Sequence, residues 1–99
     1  MDSTYVEPWR QVTDARERRL LEEELTKEAG DGHPLVGWEI TVLARRDDCD
    51  DILVSSGNGR LAEVHLTWSG KREARPSWPR TVIFESMEEW RAKAADDLA

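Results

Sequence analysis

A lone cysteine, Cys49, cannot close an internal disulfide, so nothing in the sequence points to an oxidising compartment. No stretch approaches the roughly 20 apolar residues that a membrane span needs. The first ten residues hold no basic stretch followed by an apolar run, so no signal peptide is expected. Basic residues are outnumbered, 14 against 21 acidic ones, which leaves a formal net charge of −7. That balance disfavours a nucleic-acid partner, because affinity for phosphate backbones comes mainly from Lys and Arg. It is equally wrong for an anionic membrane surface. The phosphate-binding G-x-x-x-x-G-K-[ST], the dinucleotide G-x-G-x-x-G and the zinc-protease H-E-x-x-H are all missing. The expectation is a soluble, cytoplasmic protein without a cofactor, and enzyme activity has little to rest on.

Phe and Tyr are nearly absent too, with one of each, yet there are five tryptophans: Trp9, Trp38, Trp68, Trp78 and Trp90. Tryptophan is large, apolar and carries an N–H that needs a partner. Each is therefore either a major core piece or an exposed anchor. Spacing sorts them, once the elements are drawn.

The 99 residues read as one α+β domain. Residues 1–12 are expected as an extended N-terminal arm, broken by Pro8 and pinned by Trp9. A helix over 13–29 follows, capped by Thr13 or Asp14, with Glu17 at capping-box spacing from Asp14. Leu20, Leu21 and Leu25 fall within an arc of about 140°, and the charged remainder reads as a solvated face. Residues 30–32, Gly-Asp-Gly, supply its stop, and Pro34 prevents its resumption.

Residues 35–85 read as a four-stranded antiparallel sheet. Trp38, Ile40, Val42 and Ala44 alternate with Glu39, Thr41, Leu43 and Arg45, and Ala62, Val64, Leu66 and Trp68 with Glu63, His65 and Thr67, which is the period of a half-buried strand. A short strand at 52–55 precedes the Gly57-Asn58-Gly59 turn, and a fourth is expected at 81–85. A C-terminal helix over 86–98 starts at Ser86, with Glu89 at capping-box spacing. Met87, Trp90, Ala94 and Leu98 form its apolar face. The order is α-β-β-β-β-α, with Trp38, Trp68 and Trp90 expected in the core.

Candidate chemistry is sparse. Residues 70–80 carry Lys71, Arg72, Arg75 and Arg80 against a single acid, Glu73, and form the one basic patch on an acidic chain. Pro76 and Pro79 stiffen the segment around Trp78, and a pre-set loop loses less entropy on binding. Trp and Arg are also the residues enriched at binding hot spots. Trp78 is therefore either a binding anchor or a lid folded back over a sheet edge. A second candidate surface is the polar face of the sheet, with Glu39, Thr41, Arg45, Glu63, His65 and Thr67 expected opposite Trp38 and Trp68. His65 beside a carboxylate has the makings of a general base, but no motif places a nucleophile for it. Cys49 stands among Asp47, Asp48, Asp50 and Asp51, whose field favours the neutral thiol. That loop lacks the spacing and terminal Glu of a calcium-binding EF-hand. His33, His65 and Cys49 have no local pair at zinc-ligand spacing. No metal site is expected, and the acidic loop reads as a solvated turn paired with Arg45 and Arg46.

The run Val64-His65-Leu66-Thr67-Trp68-Ser69-Gly70, followed by Trp78-Pro79-Arg80-Thr81 and a close near Trp90, resembles a group of small bacterial proteins. The stretch from Arg45 to Asp51 is similar as well. The resemblance covers roughly residues 33 to 92 and implies a bacterial cytosolic setting, with no established activity attached. The reading is then a non-enzymatic protein-interaction module with an unknown protein partner, an immunity or adaptor type of domain on size and charge. The alternative is a small hydrolase or metal-binding protein using His65 with Cys49 or residues 47–51.

Overall fold

A computed structural model describes residues 9–29, 33–35, 37–67 and 80–98, the side chains of 95–98 excepted. The elements are β1 (Trp9–Gln11), α1 (Ala15–Glu28), β2 (Thr41–Arg46), β3 (Asp51–Ser55), β4 (Leu61–His65), β5 (Arg80–Phe84) and α2 (Met87–Leu98). The sheet has five strands rather than four, antiparallel throughout and ordered β1-β2-β3-β4-β5. The additional strand comes from the segment read as an arm: Trp9 pairs with Arg46 and Gln11 with Ala44. A three-residue strand carries too little pattern to announce itself. It forms because the outer edge of β2 offers it unpaired backbone groups.

Both expected caps are present. Asp14 Oδ1 accepts from the backbone N–H groups of Arg16 and Glu17, which opens α1. Ser86 Oγ accepts from Glu89 N–H, while the Glu89 carboxylate reaches back to Glu85 N–H, which opens α2. The stop assigned to residues 30–32 lies outside the described residues. Gly57 and Gly59 both take positive φ, +88° and +96°, and close the β3–β4 hairpin as their spacing suggested.

The two helices lie on opposite faces of the sheet, and a bulge in β2 explains how one strand serves both. Val42 pairs with Val54, but Ala44 pairs with Leu53, so Leu43 is an extra residue. Val42 therefore faces α1, in a core with Leu21, Leu25, Ile52 and Val64. Leu43 and Ala44 turn to the other side, where Trp9, Leu53, Leu61, Phe84 and Trp90 form a second core under α2. The strict alternation expected from Trp38 to Ala44 is thus broken at Leu43. A single inserted residue reverses every later side chain on the strand.

The buried face of α1 is also turned from its expected position. Leu21, Glu24, Leu25 and Glu28 are buried, while Leu20 is 57% exposed. Two of the glutamates read as solvated are inside. Glu28, fully buried, accepts the backbone N–H of Thr67 at 2.9 Å. Glu22, half-buried, accepts that of Val42 at 2.9 Å, beyond the reach of β1. These carboxylates take up backbone donors at Val42 of β2 and at Thr67 just past β4, so the helix face that carries them is turned toward the sheet.

The tryptophans divide accordingly. Trp90 is 1% exposed and stands edge-on to buried Trp9, with ring centroids 5.3 Å apart at 84°. Trp38 precedes β2 instead of standing on it, and is half-buried at the margin of the α1-side core with the Arg60 guanidinium 5.2 Å from its ring centre. Its assignment to the core is corrected to that margin. Trp68 lies outside the described residues.

Candidate functional site

Each strand alternates its side chains, so register decides which polar groups meet. Asp51 on β3 pairs with His65 on β4, and His65 pairs with Arg80 on β5. The three form a row across three adjacent strands at one end of the α2-side face. One step inward, Leu53, Glu63 and Val82 form the next row, and beyond it Leu61 and Phe84 lie in the apolar core. The face grades from apolar beneath Trp90 to polar at the end where β4 finishes and β5 begins.

A hollow of about 390 Å³ opens there, lined by Asp51, Glu63, His65, Arg80, Thr81, Val82 and Lys93. Asp51 Oδ1 and His65 Nδ1 lie 2.7 Å apart, so the imidazole donates from Nδ1 to the carboxylate. That bond fixes the ring, and its Nε2 makes no hydrogen bond among the described residues. Glu63 is 8% exposed and takes a hydrogen bond from Trp90 Nε1 at 2.7 Å and one from Lys93 Nζ at 3.1 Å. A buried carboxylate is tolerable when its oxygens are satisfied in this way. Arg80 is exposed, and its side chain makes no hydrogen bond or ion pair among the described residues. Val82, 52% exposed, is the large apolar side chain on the floor.

Of the residues singled out in the sequence, Glu63, His65 and Arg80 are therefore brought together. Lys71, Arg72, Arg75 and Trp78 lie outside the described residues. The polar sheet face as expected does not exist. Arg45 points to the opposite side, where it donates to Glu17 of α1, and Glu63 is covered by α2. Sequence reasoning missed Val82 and Lys93. It named Asp51 only within the acidic loop 47–51 set beside His65, and the β3–β4 register singles it out as the residue facing His65.

Cys49 and the acidic loop form a different place. Cys49 lines a second hollow with Arg10, Arg46, Asp47, Asp48 and Asp50. Its thiol is pushed up in pKa, chiefly by burial, with the aspartates a smaller influence than their number suggested. Arg46 grips Asp48 with two hydrogen bonds, at 2.8 and 2.7 Å, and holds that carboxyl below its ordinary range. Asp47 pairs with Arg10 rather than with Arg45 or Arg46. His33 sits apart from both, its Nδ1 accepting from Leu35 N–H and its Nε2 meeting Thr81 Oγ1. Among the described residues, no three His, Cys, Asp or Glu side chains converge as a metal site would require.

Near that loop, Glu17 receives Arg10 at 3.0 Å and Arg45 at 3.1 Å. Arg10 above all holds the Glu17 carboxyl below the ordinary range; partial burial opposes it, and Arg45 adds a smaller lowering effect. A lowered carboxyl stabilises the fold above its unfolded-state pKa, about 4.3, and that contribution vanishes as pH falls through the folded value. Glu17→Gln should cost about 0.5–1 kcal/mol at pH 7, as exposed pairs do. The difference between the two proteins in urea melts should shrink steadily as pH falls below about 4.3; a difference that stays constant with falling pH would assign the effect to packing.

No helix among the described residues is long and apolar enough to cross a membrane. Compared with models of known families, with curated proteins and with solved structures, the chain matches none, so the likeness of residues 33 to 92 to small bacterial proteins carries no functional argument.

Proposed function

We propose that this chain is a small non-enzymatic protein-interaction module of an immunity or adaptor kind. It docks through the polar end of the sheet, made by Asp51, His65 and Arg80, together with the basic segment 70–80. The observation that carries the reading is the pairing of His65 with Arg80. β4 ends at His65 and β5 begins at Arg80, so the strand ends on either side of segment 68–79 belong to the polar row. Exposed Arg80 and Val82 offer the charged and apolar contacts that binding hot spots combine.

The test uses the whole chain as bait, with Trp78→Ala and Arg75→Ala beside it. Both variants should keep the far-ultraviolet circular dichroism and melting temperature of the parent, and both should lose its captured partner. Retention of the partner by both variants would overturn the reading. Unfolding of Trp78→Ala would place that side chain in the core and leave Arg75→Ala as the deciding bait.

The His65–Asp51 bond favours the alternative, a small hydrolase or metal-binding protein using His65 with Cys49 or residues 47–51. An oriented imidazole is one component of a general base. Yet Cys49 lines a separate hollow and its thiol is held in the protonated form. The interaction module is the better-supported reading.

A further inference from the structure

The last strand of the sheet is β5, and no strand among the described residues pairs with its outer edge. The opposite edge is guarded in the usual ways, by shortness and by charge. There β1 is three residues long, and its Arg10 stands in ion pairs with Glu17 and Asp47. By contrast, β5 is five residues long, holds no proline and no charge after Arg80, and leaves Val82 52% exposed. An edge of that kind is a template for a further strand.

Charge says which strand. Exposed Arg80 stands at the start of β5. Residues 68–79, just before it, carry Lys71, Arg72 and Arg75 against Glu73 alone, so the sequence keeps that end positive. The other end leads into Glu85 and the first turn of α2, with Glu88 and Glu89, all three exposed. Arg60 answers Glu85 at 3.3 Å and Arg91 follows on the next turn, which still leaves an acid in excess. A strand positive at its start, apolar in its middle and negative at its end complements its own reverse. Parallel addition of a second copy would set like charges together, whereas antiparallel addition sets each end against its opposite.

We infer that two copies of the chain pair antiparallel through the outer edges of β5, about a two-fold axis at Val82. Each surface then meets itself, as a closed two-fold interface requires. Val82 lies opposite Val82 of the other copy, with Cβ atoms about 4.5–5.5 Å apart, and both side chains leave water. Arg80 lies opposite Phe84 of the other copy, next to the acidic turn that follows it. The axis is perpendicular to the sheet, so both α2-side faces stay on one side and the two polar ends open there together. A five-residue edge is small against the roughly 1,600 Å² of a standard interface, and two chains of net charge −7 repel, so the dimer is a weak one.

Sedimentation velocity of the full chain, from about 1 μM to about 1 mM, reads the mass directly. The mass should rise from 11.4 kDa toward twice that value and stop there. Over the same range, the amides of residues 82–84 that face away from β4 should exchange more slowly with heavy water. Val82→Lys sets like charges at the axis and should weaken pairing by about tenfold or more. Arg80→Glu turns both end contacts repulsive and should do the same. Leu20→Lys, at the exposed leucine of α1, should leave pairing unchanged. A chain that stays at 11.4 kDa, or one that grows past two copies, overturns the proposal. So does a Leu20→Lys variant that dissociates, or a Val82→Lys variant of native melting temperature that pairs like the parent. Arg80→Glu, at an exposed position, decides the matter if Val82→Lys does not fold. Unslowed amides at 82–84 in the dimer would put the contact elsewhere and overturn it too. The dimer fails separately from the docking reading: a monomer that still loses its captured partner on Arg75→Ala keeps the module and loses the pair.

Discussion

Trp90→Ala is expected to destabilise the fold by about 3–5 kcal/mol, the range for removing a fully buried tryptophan. Three losses coincide at this residue. Its ring fills the α2-side core with Leu53, Leu61 and Phe84, and the cavity would lie between helix and sheet where neither can easily collapse. Its edge-on contact with Trp9 disappears, which loosens the edge strand β1 that Trp9 anchors. Its Nε1–H no longer satisfies Glu63, leaving a carboxylate that is 8% exposed with less support. A domain of this size has about 5–15 kcal/mol in total, so the melting temperature should fall by about 15 °C or more. Trp90→Phe separates the terms, because it keeps most of the volume and loses the hydrogen bond. It should recover more than half of the loss in a thermal melt. If Trp90→Phe proves as damaging as Trp90→Ala, the bond to Glu63 outweighs the packing.

Glu28→Ala should cost about 2–3 kcal/mol, more than most changes at a helical glutamate. The carboxylate is fully buried and accepts the Thr67 backbone N–H just past the end of β4. Truncation removes a charge-assisted bond to that amide and leaves a cavity where the side chain was buried. Glu28→Gln keeps an oxygen acceptor in nearly the same shape and should cost less than half as much. Denaturant melts of the pair decide the matter, with hydrogen exchange at the Thr67 amide as the local readout. That amide should exchange faster in Glu28→Ala than in Glu28→Gln. Similar stability of the Ala variant and the parent would mean that Glu28 is buried without contributing.

The local pattern made much of this legible in advance. Asp14 and Ser86 are capping residues whose short side chains act on the backbone beside them, so their effect is written within three or four positions. The Gly57-Asn58-Gly59 turn is equally local, since positive φ is a property of glycine itself. Met87, Trp90 and Ala94 fell on the buried face because helical spacing alone brings them together. The misreadings share a cause. The bulge at Leu43 depends on how β2 meets β3, and no residue in β2 declares it. The turn of α1 that buries Glu28 serves the Thr67 backbone, 39 residues further along the chain, so its charge alone suggested solvent.

The candidate site shows the same division. His65, Glu63 and Arg80 were chosen for their chemistry, and chemistry is a property of single residues. That they share one hollow with Asp51, Val82 and Lys93 follows from antiparallel register across β3, β4 and β5 and from the seat of α2. By itself, the sequence determined the fold class, the helix starts, the hairpin and the acidic surface, because each arises from contacts between near neighbours in the chain. Only the tertiary structure decided which face each charge occupies, because a strand's facing changes with a single inserted residue and is settled by its partner strand.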